Sequence, residues 1–238
     1  HTMAVQAMAF IFNVLKVRSV PYLPNILPPF INIIRTGDPK IREFLLQQLG
    51  QIISAVKKHI RSYLDDIFKV LRELWTTNNS TMQLTLFNVV DQMVLALGSE
   101  FRNYVPHLIP HILKVFNHDA SPQKEVTIKL LSALQNFGIT LEDYIHLMIT
   151  PILKLFEIQS LPGSTPIEQK RDSDLRILAI KTIETFCRDL SLKEFAPRII
   201  HSLVKTIDDN PNDKRLFQQA MDTLCRIVFQ LDLKFKIY

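Results

Sequence analysis

The stretch YLPNILPPFINII beginning at Tyr22 and the stretch YVPHLIPHILKVF beginning at Tyr104 are two copies of one pattern, 82 residues apart. Each has an aromatic opener, prolines at the third and seventh places, and apolar residues at spacings of three and four. Midway between them Tyr63 opens YLDDIFKVLRELW; further on, Tyr144 opens YIHLMITPILKLF and Phe195 opens FAPRIIHSLVKTI, with Tyr238 placed to open another copy. The intervals are 41, 41, 40, 51 and 43 residues. Twelve residues after the five openers stand Ile34, Trp75, Phe116, Phe156 and Ile207, all large and apolar. A repeated column implies a repeated structural place, so the chain reads as a tandem array rather than a single intertwined core.

Each copy continues into a polar turn and a second apolar-periodic stretch. Asp38-Pro39, Ser121-Pro122 and Asn210-Pro211 each set a strong N-cap residue before a proline, which has no N–H to lose at the first helical position. Asn79 and Ser80 do the same work without proline in the second copy. The second helices are expected to end near Val56, Leu97, Phe137, Leu190 and Leu231, with Gly98 and Gly138 as stops. Among the opening prolines, Pro24, Pro106 and Pro197 suit a first turn, whereas Pro28 and Pro110 predict a kinked or late-starting first helix.

A helix pair of about 40 residues cannot bury its apolar face alone, but stacked pairs make one shared core. The period and the two-helix unit predict an all-α, HEAT-type α-solenoid of about five stacked helix pairs; armadillo units carry three helices, and tetratricopeptide units are shorter. The expected divisions are 1–20 as the trailing helix of a preceding repeat, then 21–62, 63–103, 104–143, 144–194 and 195–237. Neither end carries a polar capping repeat, so the array is expected to continue in a longer protein. The fourth copy holds about ten extra residues around EIQSLPGSTPIEQKRDSD. There the Thr165-Pro166-Glu168 capping box competes with Asp172 or Ser173 as the helix start; the later start is expected, with part of Gln159 to Arg171 mobile.

Composition narrows the function. Apolar residues make up 47 % of the chain and only five glycines are present, which favours buried helix faces and leaves no glycine-rich phosphate loop. Net charge is +5, a mild tilt. The densest basic cluster, Lys57, Lys58, His59 and Arg61, reads as a solvated helix end rather than a nucleic-acid site, because aromatics are not interleaved with it. The longest apolar run, Met3 to Leu15, is broken by Gln6 and Asn13 and is too short for a membrane helix, so no transmembrane span is expected. Two cysteines fit a reducing compartment.

Residues of chemically active types have structural explanations. His107 and His111 lie four apart with His118 nearby, but further ligands at metal-site spacing are lacking. Cys187 and Cys225 recur in TFCR and TLCR and read as small core residues. Trp75 reads as core because Phe116 and Phe156 share its column. Thr165-Pro166 has the form of a proline-directed kinase site, a form that is common. Asn88 and Asp91 are the sole hint of a polar ladder on the second helices. No catalytic residue, metal ligand or cofactor is expected, and the partner-binding residues are not defined by any motif.

The wording of IREFLLQQLGQIISAVKKHIR (Ile41 to Arg61), FRNYVPHLIPHILKVFNHD (Phe101 to Asp119), IKLLSALQNFG (Ile128 to Gly138) and RIIHSLVKT with AMDTLCRIVFQL (Arg198 to Leu231) resembles the HEAT-repeat region of the target of rapamycin (TOR) Ser/Thr protein kinases, of the phosphatidylinositol-kinase-related class. The resemblance runs along nearly the whole chain and is weakest from Gln159 to Asp174. It implies a non-catalytic scaffold segment of a large cytoplasmic kinase that acts in growth signalling, in part at lysosomal or other endomembranes. The partners it implies are a second TOR subunit, a Raptor-type adaptor and a Rheb-type GTPase. A free-standing adaptor or importin-like transport receptor is the alternative.

Overall fold

The computed structural model describes residues 2–75, 79–158 and 163–232. Eleven α-helices are present among them: α1 (Thr2–Leu15), α2 (Leu23–Thr36), α3 (Arg42–Val56), α4 (Leu64–Leu74), α5 (Ser80–Leu97), α6 (Val105–Asn117), α7 (Glu125–Phe137), α8 (Ile145–Phe156), α9 (Pro166–Asp189), α10 (Ala196–Asp209) and α11 (Lys214–Asp232). No strand occurs among the described residues. The chain forms two compact units, His1–Asn103 and Tyr104–Tyr238. In the first, α3 packs between α1 and α5 while α2 packs on α4. In the second, α9 packs between α7 and α11, and α8 between α6 and α10. Odd-numbered and even-numbered helices thus form two layers in each unit, the arrangement of stacked helical hairpins.

Helix α4 shows why these segments are helical. Leu64, Ile67, Phe68, Leu71 and Leu74 recur at three and four and are all buried, with Asp65 and Asp66 in the first turn and Arg72 in the last, where each sign suits the helix dipole. Burial of each such side chain contributes about 1.5–3 kcal/mol, more than an isolated eleven-residue helix could supply from propensity. The twelfth-place column lies inward: Ile34, Trp75 and Phe156 are buried, and Phe116 and Ile207 are half-buried. Trp75 meets Phe87 of α5 edge-on, with ring centroids 5.2 Å apart. It is a packing residue, as its column predicts.

The hairpins are joined by a second repeated device. After α1, α3, α5 and α7 the chain turns through a residue of positive φ, namely Lys16 (51°), Lys57 (51°), Gly98 (58°) and Gly138 (50°). A seven-residue 3-10 segment begins at each and ends at Tyr22, Tyr63, Tyr104 or Tyr144. Three residues after each positive φ a side chain is buried: Ser19, Ile60, Phe101 and Leu141. Leu192 occupies the corresponding place, three residues before Phe195, and is also buried, although the exit from α9 has an extended residue, Leu190, instead of a positive φ. There the Gln230 side chain of α11 substitutes, donating to the Cys187 carbonyl at 2.5 Å and the Leu190 carbonyl at 2.8 Å and accepting from the Leu192 N–H at 3.1 Å.

Several expectations from sequence are corrected. Helices α2 and α6 start at Leu23 and Val105 and run through Pro28, Pro29 and Pro110, so of the two expected outcomes, a kink or a late start, the late start does not occur. These prolines are solvent-exposed, and water can satisfy the carbonyls that lose a donor. Helix α9 takes the early start. Thr165 Oγ1 accepts from the Glu168 N–H and the Glu168 carboxylate accepts from the Thr165 N–H, a complete capping box with Pro166 at the first helical position. Asp172, the rival cap, is a buried residue inside the helix. The mobile segment expected from Gln159 lies partly outside the described residues, as does the opener Tyr238. Asn210 ends α10 by donating to the Thr206 carbonyl, while Asp213 caps α11 by accepting from the Leu216 N–H at 3.0 Å.

The run Thr2–Thr36 is, by length and composition alone, long and apolar enough to cross a membrane. At Lys16 it divides into two 14-residue helices, each about 21 Å long against the roughly 30 Å of a hydrocarbon core.

Candidate interaction surfaces

The layer of α1, α3 and α5 carries three charged residues, Arg42, Glu43 and Asp91, against ten in α9 alone. Where these three helices lie side by side they enclose a groove of about 420 Å³. Its walls are Asn13 from α1, Gln47, Gln51 and Ser54 from α3, and Asn88 and Gln92 from α5; its floor is Leu46, Gly50 and Val89. Asn13 Nδ2 donates to Gln51 Oε1 at 3.1 Å. Gln47, Ser54, Asn88 and Gln92 make no side-chain hydrogen bond to any described residue. Gly50 leaves the floor low, and a Cβ there would touch Gln92 Cγ at 3.8 Å.

Of the two residues that hint at a polar ladder, Asn88 lines this groove, whereas Asp91 is buried and does not line it. The signal missed in the sequence is periodic. Gln47 and Asn88 are 41 residues apart, Gln51 and Gln92 likewise, and within each helix the two amides are four apart. Two successive copies, at α3 and α5, therefore carry a matched pair of amides on the solvent side as well as the apolar column on the inner side.

In the other layer, polar contacts link successive helices at repeat spacing. Arg35 of α2 pairs with Glu73 of α4 at 2.8 Å, and Lys205 of α10 with Glu157 after α8 at 3.2 Å. Arg61 of the basic cluster pairs with Glu100 at 2.6 Å, so this cluster is a solvated junction with part of its charge neutralised. These pairs are exposed and worth about 0–1 kcal/mol each, so they set register more than stability. An apolar groove of about 550 Å³, lined by Met8, Ile11, Leu15, Tyr22 and Ile26 among others, runs along α1 and α2.

The residues weighed for chemistry are dispersed. His107 and His118 are exposed, and His111 is half-buried, its pKa pushed down by burial and by the neighbouring Lys114 cation. No group of three metal-ligating side chains converges among the described residues. Cys187 is buried, which pushes its thiol up to about 12 and leaves it un-ionised at neutral pH. Cys225, expected in the core, is exposed; its helix presents Cys225 outward between the buried Thr223 and Ile227. The polar interaction best built in the second unit is a cap. Asp119 accepts from the Ser121 and Thr127 backbone N–H groups at 2.8 and 2.9 Å and from both hydroxyls, which holds its carboxyl below the usual range against the opposing effect of burial.

Stacked helical hairpins with polar ladders outside and apolar columns inside define an α-helical repeat protein of the HEAT class. Family comparison agrees: residues 54–225 match the TAF6 C-terminal HEAT repeat domain, and residues 1–57 match the Serine/threonine-protein kinase mTOR domain. Across all 238 residues the chain is 42 % identical to the Serine/threonine-protein kinase mTor of Drosophila melanogaster and 32 % identical to TOR2 of Saccharomyces cerevisiae. A solved structure of importin beta superposes on 95 % of this chain, and 28 % of its own, with a TM-score of 0.69 at 11 % identity, a likeness of fold. The chain belongs to the target of rapamycin (TOR) kinase family, as part of its HEAT-repeat region. It spans about 9 % of the length of the curated relatives it matches and is a helical-repeat portion, not the kinase domain.

Proposed function

We propose that this chain is a docking segment of a TOR-type kinase, supporting self-association with a second copy and binding of a Raptor-type adaptor, with a Rheb-type GTPase as a further contact. The observation that carries this reading is the relationship to mTor along the entire chain, combined with an outer surface organised as ladders at repeat spacing. The repeats divide at 21–62, 63–103, 104–143, 144–194 and 195–237. The kinase acts in the cytoplasm and, when recruited, at lysosomal or other endomembranes. The transport-receptor alternative has only the likeness of fold behind it.

Lysine-directed cross-linking of the intact kinase assembled with its adaptor tests this. Exposed Lys57, Lys58, Lys154 and Lys205 are expected to link to the adaptor or to the second copy. Links confined to their own polypeptide contradict the proposal.

A further inference from the structure

The amide groove of the first unit is a built feature with an identifiable ligand chemistry. Its polar side chains come from three adjacent helices, four of them recur as two pairs 41 residues apart, Gln47 with Asn88 and Gln51 with Gln92, and they are nearly free of charge around them. Each Asn or Gln offers one carbonyl acceptor and an NH2 with two donors, so a single side chain can pair with both the N–H and the C=O of a peptide backbone. We propose that this groove binds a short extended segment of a partner polypeptide through its backbone, with the rungs Asn13/Gln51, Gln47/Asn88 and Gln92 pairing with peptide N–H and C=O groups. This inference rests on the docking reading above and names the mode of one such contact.

Geometry supports an extended occupant. Packed helices are separated by about 8–10 Å, and an extended chain rises about 3.3 Å per residue. One step from α1 to α3, or from α3 to α5, therefore matches three residues, and a segment of about six residues crosses the groove. A helix, about 10 Å wide with its own backbone groups satisfied internally, would leave the amide ladder facing apolar side chains. The low floor at Gly50 admits small or medium side chains.

Charge decides the class of segment. A basic peptide, a phosphopeptide or nucleic acid requires opposite charge at the site. Neither Lys nor Arg nor a carboxylate lines this groove. Binding by uncharged hydrogen bonds is accordingly expected to be weak for an isolated peptide and nearly independent of salt, unlike contacts to the exposed ion-paired ladder.

The test uses the intact kinase and, as probe, a fluorescent library of acetylated, amidated eight-residue peptides composed of Ala, Ser, Thr and Val. The expected result is saturable binding by members of this library, weakened at least tenfold by Asn88→Leu combined with Gln92→Leu and little changed between low and high salt. Peptides N-methylated at alternate backbone nitrogens, which keep their side chains but lose the N–H donors, are expected not to bind. This second arm involves no protein substitution and stands even if the double variant misfolds. Absence of binding by the whole library, equal binding of N-methylated peptides, or retention of affinity in a correctly folded double variant overturns the proposal. Absence of library binding to the unaltered kinase with adaptor cross-links still present refutes the groove assignment and leaves the docking function standing.

Discussion

The junction after α3 and the junction after α5 have nearly the same backbone but different residues at the turn. Lys57 sits at φ 51°, ψ −128° and Gly98 at φ 58°, ψ −129°. This is the first central position of a type II′-like turn, where glycine is at ease and a side chain is strained by about 1–3 kcal/mol. Both junctions then drive a large apolar residue into the core, Ile60 or Phe101. The comparison teaches that the buried anchor and the helices on either side dictate the turn, strongly enough that lysine adopts a conformation it would not choose. Glycine at that place is a convenience of the repeat, not its cause.

If the anchor dominates, removing it must cost more than any change at the turn. Phe101→Ala, which also removes the contact to Phe68 at 5.9 Å, is expected to destabilise by about 3–5 kcal/mol, and Ile60→Ala by about 2–5 kcal/mol, in chemical denaturation. A loss below 1 kcal/mol at both places would reverse the comparison.

The exit from α9, which lacks the positive φ, probes the same idea by another route. Gln230→Leu strips partners from the Cys187 and Leu190 carbonyls and the Leu192 N–H, and a loss of about 1–3 kcal/mol is expected. Hydrogen exchange should place the change at residues 190–195, leaving the turns at Gly98 and Gly138 protected as before.

Exchanging the turn residues themselves gives smaller effects of opposite sign. Gly98→Ala and Gly138→Ala are each expected to cost about 1–2 kcal/mol, more at Gly138, where the new Cβ would stand 3.3 Å from Asp189 Oδ2. Lys57→Gly is expected to raise stability by up to about 1 kcal/mol, because relief of strain slightly exceeds the added freedom of the unfolded chain. Thermal melts of the three variants suffice, and equal signs at all three would show that the shared backbone is not a shared strain.

The smallest effect concerns Asp119, which holds the start of α7 where the residue at the cap of the other turns is less burdened. Its folded pKa is lowered, so its contribution is present above the ordinary value of 3.8 and fades as pH falls through the lowered folded value. Asp119→Asn should lower stability at pH 7 through loss of the charge-assisted bonds and flatten the acid limb of the stability curve below about pH 4, where variant and parent converge. An unaltered acid limb would assign that limb to other carboxylates.

Much of the architecture was legible because repetition makes each copy a control for the others. The apolar column could be read from five places at once, and Asn79 performs the cap expected of it, accepting from the Thr81 N–H at 3.0 Å. Lys16 and Lys57 were illegible as turn residues because lysine has no turn preference; only their alignment with Gly98 and Gly138 discloses them. The start of α9 was a contest between two good caps, and the complete box with proline won because it satisfies donors at both ends of the capping pair. Asp119 escaped notice because its partners, Ser121 and Thr127, are reached across a turn rather than along a helix. The amide groove was hidden for a different reason: its amides recur in only two of the copies, Gln47 with Asn88 and Gln51 with Gln92, too few to stand out as a column.

Hydrogen–deuterium exchange of residues 1–238 within the intact kinase, measured alone and assembled with its adaptor and second copy, tests the docking scaffold most directly. The account predicts slower exchange on assembly at the solvent-facing turns and helix ends of this segment, with the buried columns around Ile34, Trp75 and Phe156 equally protected in both states. Identical exchange throughout would show a bystander, and exchange of the buried columns at the rate of unstructured chain would show that the stacked hairpins do not exist.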